Sequence, residues 1–218
     1  MLNRIIRKLR FMYLQSRIKK SNPFYKIDAS LISRNMQLLK PYHSQYIREI
    51  STPDMAASLE LAGTLLSICQ ANGYKKFADL GSGFSSFVLR YYAKSYPDVE
   101  VYSVDDNNKW LEKTRNYLKS VGVTDSKLFT LEEFLAGKFS DFDCILHDLN
   151  FVEVRINHVS TLLSKLSTHG VLILDDMHKP DYRFEVLTKM EKEPFDIYDL
   201  RELTLDSFGR YSMIALRR

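Results

Sequence analysis

The chain has 218 residues, with 31 Lys and Arg against 27 Asp and Glu and 45% hydrophobic residues, the size and balance of one soluble domain with a full core. No apolar run reaches the roughly 18 residues that a membrane span needs, and Arg and Lys interrupt the N terminus too often for the apolar region of a signal peptide. The net charge of +4 is unevenly placed, because residues 1–20 hold Arg4, Arg7, Lys8, Arg10, Arg17, Lys19 and Lys20 and no acidic residue.

In the N-terminal arm, Leu2, Ile5, Ile6, Leu9 and Tyr13 recur at helical spacing between basic residues, which predicts an amphipathic helix. Ser21, Asn22 and Pro23 break it, and the aromatic-rich residues 24–50 read as a short helical cap. Residues 1–50 are therefore taken as arm and cap, and 51–218 as the main domain. Thr52-Pro53-Asp54 has the form of a helix start, and Met55, Leu59, Ala62, Leu66 and Cys69 keep one face apolar until Asn72-Gly73. Strand and helix patterns then alternate. Strands are predicted at 77–80, 99–104, 127–130, 144–147 and 171–174, with helices at 85–96, 109–120, within 151–166 and near 181–191. Strands at 197–200 and 211–216 close the chain around Ser207-Phe208-Gly209. Such alternation implies crossover units, a mainly parallel sheet and an α/β fold of Rossmann type with helices on both faces. Cys69 and Cys144 lie in apolar surroundings without metal-ligand spacing and read as buried free thiols, as in a reducing cytoplasm. No basic stripe crosses the body of the fold, so nucleic acid is not an expected partner.

In a parallel sheet of this kind, ligands gather beyond the carboxyl ends of the strands. The first strand runs into Asp79-Leu80-Gly81-Ser82-Gly83-Phe84-Ser85-Ser86, where glycines let the backbone turn tightly and approach a ligand. The second ends in Val104-Asp105-Asp106-Asn107. Asp105 is placed to accept a pair of ribose hydroxyls, and a neighbour is placed to cap the next helix. A nicotinamide-binding turn would want a third glycine where this chain has Ser86, and an apolar residue where it has Asp79. The pattern better suits a nucleoside ligand with an amino-acid end.

Phe77-Ala78-Asp79-Leu80-Gly81-Ser82-Gly83 resembles the first motif of class I S-adenosylmethionine-dependent methyltransferases. Val101–Asp105 resembles their second motif, Asp143–Asp148 their fourth, and Gly170–Asp176 the strand that follows it. The resemblance spans about residues 54–218 and implies a seven-stranded sheet closed by an antiparallel C-terminal hairpin. It further implies that Gly81, Ser82 and Gly83 line the methionine part of S-adenosylmethionine, with Asp79 orienting its ammonium directly or through water, Asp105 holding the ribose and Asp148 beside the cofactor. Thr130 and Leu131 would lie near adenine, although the acidic residue common there is missing unless Glu132 or Glu133 supplies it.

Asp148, Asp175 and Asp176 follow the fourth and fifth strands, and together could present hard oxygen ligands to Mg²⁺ or another divalent cation. This resembles the metal-dependent O-methyltransferases that act on catechols and sugars, and it implies transfer to a hydroxyl of a small molecule or glycan intermediate. Where the catechol type places its base lysine, this chain has Phe151. His178, in the loop after the acidic pair, is the preferred general base, with Asp148 beside it. His147 should point to the opposite face of its strand. Metal-independent N- or C-methylation is the competing enzyme reading, although Asp148-Leu149-Asn150-Phe151 lacks the paired prolines those enzymes commonly carry. A non-catalytic scaffold is the other alternative. The arm has three readings: packing over the acceptor site or a second subunit of a homodimer, lying on an anionic inner membrane surface, or fraying.

Overall fold

The computed structural model describes residues 2–21, 23–24 and 27–218, so Asn22 of the expected break lies outside the described residues. Helix α1 spans Leu2–Ser16, α2 Ala29–Glu49 and α3 Leu59–Asn72. Then β1 (Lys76–Leu80), α4 (Phe84–Ala93), β2 (Glu100–Asp105), α5 (Asn108–Ser120) and β3 (Leu128–Thr130) alternate. They are followed by α6 (Leu131–Ala136), β4 (Phe142–His147), α7 (Val152–Ser164) and β5 (Leu166–Leu174). Helix α8 (Pro180–Met190), β6 (Phe195–Asp199), the short α9 (Arg201–Thr204) and β7 (Met213–Arg217) complete the chain.

The seven strands run in the order β3-β2-β1-β4-β5-β7-β6. Strands β1 to β5 pair in parallel, and β7 lies antiparallel between β5 and β6. This is the seven-stranded α/β sheet with a closing hairpin that the sequence implies.

Two hydrophobic cores follow from strand alternation, since neighbouring residues of a strand point to opposite faces. Phe77, Val101, Cys144, Leu146, Val171 and Ile173 face the core built with α2 to α5. Ala78, Tyr102, Ile145, Leu172 and Leu174 face the other, filled from α6, α7 and α8 by Phe134, Val159, Leu162, Tyr182 and Val186. The strand order reverses between β1 and β4, because β1 leads outward to β2 on one side and β4 leads to β5 on the other. The chain therefore opens a crevice beyond the carboxyl ends of β1 and β4.

The N-terminal third departs from the sequence reading. The expected short cap is a helix of 21 residues, capped by Asp28, whose side chain accepts from the Leu31 amide, and it contains Pro41. Its Ile32, Leu39 and Tyr46 sit in the same core as Phe77 and Val101. Thr52-Pro53-Asp54 is a turn and not a helix start. Helix α3 begins at Leu59, where Ser58 Oγ accepts from the Leu61 amide. The physical reason is tertiary: the Arg210 guanidinium donates to the carbonyls of Pro53 and Asp54, holding them outside a helical ladder. Among the described residues no helix is long and apolar enough to cross a membrane.

Candidate active site

A cavity of about 550 Å³ occupies the crevice. Gly81, Ser82 and Gly83 after β1, Asp105 and Asn107 after β2, Asp148 and Asn150 after β4, and Asp175, Asp176, His178 and Lys179 after β5 all line it. Helices contribute Tyr46, Trp110 and Arg155, and a roof is added by residues 54–57, Phe208 and Arg210.

The floor is backbone. Gly81 has φ +101°, in the left-handed region, and a Cβ there would overlap the carbonyl of Asp148. Its amide donates to the Val104 carbonyl at 2.9 Å, and the Asp148 amide donates to Leu80 at 2.6 Å, so the ends of β1, β2 and β4 are pinned together. Only glycine combines that dihedral with that approach. Gly83 is extended, and a Cβ there would press on the Tyr46 hydroxyl oxygen. Tyr46 in turn meets Phe84 and Tyr117 edge-on or tilted, with ring centroids 5.6 and 4.8 Å away.

Asp105 stands at the mouth of this loop. One carboxylate oxygen accepts from the Ser82 amide and hydroxyl at 2.9 and 2.8 Å, and the other from the Asn107 amide at 2.9 Å. Burial raises its pKa from 3.8 to about 6, against the pull of these hydrogen bonds. Asn107 caps α5 by accepting from the amides of Lys109 and Trp110, as expected of a neighbour of Asp105. Trp110, the single tryptophan of the chain, donates its indole N–H to the Ser82 carbonyl at 2.6 Å and forms the aromatic wall next to Asp105.

Three residues expected at the site stand behind the cavity lining. Asp79 is not among the lining residues. It is fully buried beneath the loop, where it accepts from the Ser86 hydroxyl, and its Oδ1 has no hydrogen-bond partner among the described residues. Burial raises it to about 6. The same Ser86 hydroxyl accepts from the Gly83 amide, so the serine at the third glycine position ties Asp79 to the loop. Thr130 and Leu131 are also not among the lining residues. Thr130 caps α6 in a reciprocal arrangement with Glu133.

The opposite half is built from charge. Asp148, Asp175 and Asp176 do face one cavity, as the sequence predicts, but they do not form a metal-ligand set. Arg155, from α7, holds Asp148 at 2.7 Å with one guanidinium nitrogen and Asp176 at 3.1 Å with the other. Its Nε donates to the Leu149 carbonyl. Lys179 takes Asp176 at 2.6 Å, and Ser212 donates to Asp175 at 2.7 Å. Among the described residues no group of three or more His, Cys, Asp and Glu is placed to hold a metal ion. A cation entering between Asp148 and Asp176 would meet a guanidinium of like sign, so the donor set does not fit Mg²⁺.

These partners also set the protonation states. Burial drives Asp148 upward and the Arg155 charge opposes it, while Asp175 is raised by burial and by Asp176 next to it. Asp176, which burial alone would raise, is held below the ordinary carboxylate value by Lys179 and Arg155. It adopts φ +60°, a backbone conformation uncommon for a residue with a side chain.

His178 lines the cavity with its Nδ1 3.5 Å from Asp176 Oδ1. Burial lowers its pKa below 6.5 although Asp176 pulls the other way, so the imidazole is neutral near pH 7 and able to accept a proton. His147 is buried away from the cavity. Its Nε2 is 2.9 Å from the Arg155 carbonyl, and burial lowers it to about 4.

No protein-family model matches this chain, and no curated protein does. Solved structures do. The O-methyltransferase TomG from Streptomyces achromogenes, in complex with SAM, is 14% identical over 94% of each chain with a TM-score of 0.61. The SAH-bound methyltransferase PaMTH1 from Podospora anserina is 15% identical, covering 95% of this chain and 93% of its own, with a TM-score of 0.60. An O-methyltransferase from Bacillus cereus in complex with SAH is 14% identical over 89% of this chain and 93% of its own, at 0.55. The fold is that of a methyltransferase.

Within that fold the sequence reading missed Arg155, Trp110, Tyr46 and Arg210. Tryptophan rarity was an available signal for Trp110. Arg155 lies seven residues past Asp148 on the first turns of α7, and no spacing rule marks an arginine there. Tyr46 and Arg210 come from segments distant in sequence that only the tertiary fold brings to the cavity.

Proposed function

We propose that this chain transfers a methyl group from S-adenosylmethionine to a hydroxyl oxygen of a small molecule or glycan intermediate, with His178 as general base and no divalent cation between the carboxylates. One observation carries the reading: a single cavity joins a glycine loop and the carboxylate of Asp105 to a histidine beside a clamped acidic cluster. The O-methyltransferases of the same fold support the choice of acceptor atom.

The glycine loop of residues 81–83, which lines the cavity, would lie against the amino-acid end, with Asp148 as the lining carboxylate next to that loop. Asp105 would accept the ribose hydroxyls, and Trp110 would lie against the base. When bound, S-adenosylmethionine supplies a methyl group on a cationic sulfur, which a nucleophile can take without further activation. His178 is left to remove one proton. His178 would receive the hydroxyl proton of the acceptor at Nε2 as the acceptor oxygen takes the methyl group. Asp176, 3.5 Å from Nδ1, favours the imidazolium that results. Arg155 holds Asp148 and Asp176 in place, a positioning role.

Trp110 provides the test. Titration with S-adenosylhomocysteine should change the fluorescence of this single reporter, and Asp105→Asn should raise the Kd roughly 5- to 100-fold, the loss of a charge-assisted acceptor. A response to NADH and none to S-adenosylhomocysteine would overturn the reading. With labelled S-adenosylmethionine and a panel of hydroxyl acceptors, His178→Gln should lower turnover about 10²- to 10⁴-fold while sparing cofactor binding. Because a base works only when deprotonated, wild-type kcat/KM should fall as pH drops through a value below 6.5, and that limb should vanish in the variant.

A further inference from the structure

Helix α1 has two faces, and the body of the protein uses one. Arg7 pairs with Asp181 and Glu185 of α8 at 3.0 and 3.6 Å, and Arg10 pairs with Glu191 at 3.1 Å. Phe11 meets Phe184 edge-on at 5.7 Å, Arg183 lies over Phe11, and Leu14 is buried. Beyond the helix, Lys19 exchanges backbone hydrogen bonds with Ile197 and Asp199, extending the free edge of β6. The helix is thus held to the body from Arg7 onward and through the segment that follows it.

At helical spacing, Ile5, Ile6, Leu9, Met12 and Tyr13 fall opposite that docked face. All five are between 51% and 60% exposed. Arg4, Lys8, Arg17 and Lys20 border them and have no acidic partner among the described residues, unlike Arg7, Arg10 and Lys19, which the body neutralises. An apolar stripe bordered by unpaired cations suits one kind of surface, an apolar layer beneath an anionic one.

We propose that α1 seats this protein on an anionic membrane surface, lying in the plane of the headgroups. A second copy fits less well, since a twofold pairing would set Arg4, Lys8 and Arg17 of one chain against the same residues of the other. The inference does not depend on methyl transfer.

Vesicle sedimentation of the full chain tests it. The protein should sediment with vesicles of phosphatidylcholine mixed with phosphatidylglycerol, much less with phosphatidylcholine alone, and should be released by salt. The triple variant Arg4→Glu, Lys8→Glu, Arg17→Glu should lower the partition coefficient on the order of a hundredfold or more. Ile5→Ser with Leu9→Ser should lower it too, and Trp110 fluorescence and thermal unfolding should show both variants folded. Absence of binding to the anionic vesicles, or binding that the charge reversal leaves unchanged, would overturn the proposal. So would a dimer in sedimentation equilibrium that Leu9→Asp separates.

Discussion

The two halves of the cavity are made by different means. Around β1 and β2, the site is a backbone device: Gly81 can occupy its place only because it lacks a side chain, and the loop it opens lines the cavity. Around β4 and β5, it is a side-chain device, in which Arg155, Lys179 and Ser212 hold three carboxylates that would otherwise repel one another. The first kind of construction rests on backbone geometry, which pH does not alter. The second depends on charge and should respond to pH and to removal of one partner.

The largest effect should come from Gly81→Ala. A Cβ at φ +101° would overlap the Asp148 carbonyl, and neither partner is a flexible side chain that could move aside. Urea unfolding should show a loss of roughly 3–5 kcal/mol, nearly constant between pH 5 and pH 8. A loss under about 1 kcal/mol would mean that the loop has room the geometry denies.

Arg155→Met should come next, at roughly 2–4 kcal/mol near pH 8. Removing one member of a buried pair strands the other charge, and the residual exposure of Asp148 moderates the cost. Here the pH response separates the halves. Burial already raises Asp148, so protonation should relieve much of the deficit at pH 5. An equal deficit at both pH values would refute the electrostatic account.

Asp79 titrates beneath the backbone half. Its folded pKa, about 6, exceeds the ordinary 3.8. Its favourable contribution is therefore complete below about pH 4 and is lost as pH rises through 6, a span worth about 3 kcal/mol. Asp79→Asn should flatten that slope and stabilise the protein by about 1–3 kcal/mol at pH 8 relative to pH 4. An unchanged slope would locate the effect elsewhere. The smallest expected effect concerns the roof: Ser58→Ala should cost about 1 kcal/mol as the lost cap of α3, and Thr52→Ala should cost little in thermal unfolding.

What the sequence determined by itself is whatever depends on near neighbours and on alternation. Phe77 and Ala78 announce a strand buried on both faces, Asp79–Gly83 announces the tight turn after it, and repetition of the unit implies a parallel sheet whose strand ends converge. That suffices to place Gly81, Ser82, Gly83, Asp105, Asp148, Asp175, Asp176 and His178 on one cavity, where all of them are found. Only the tertiary structure decided their partners. Asp148, Asp175 and Asp176 read as metal ligands because spacing along the chain shows which oxygens converge and says nothing of the cation that meets them. That cation is the guanidinium of Arg155, delivered by α7. In the same way Thr52-Pro53 has every local mark of a helix start, yet the carbonyls of Pro53 and Asp54 are taken by Arg210, more than 150 residues away. Local propensities are worth about 1 kcal/mol each, and a long-range charged hydrogen bond to buried or loop backbone is as large or larger. Where the two compete, distant side chains win.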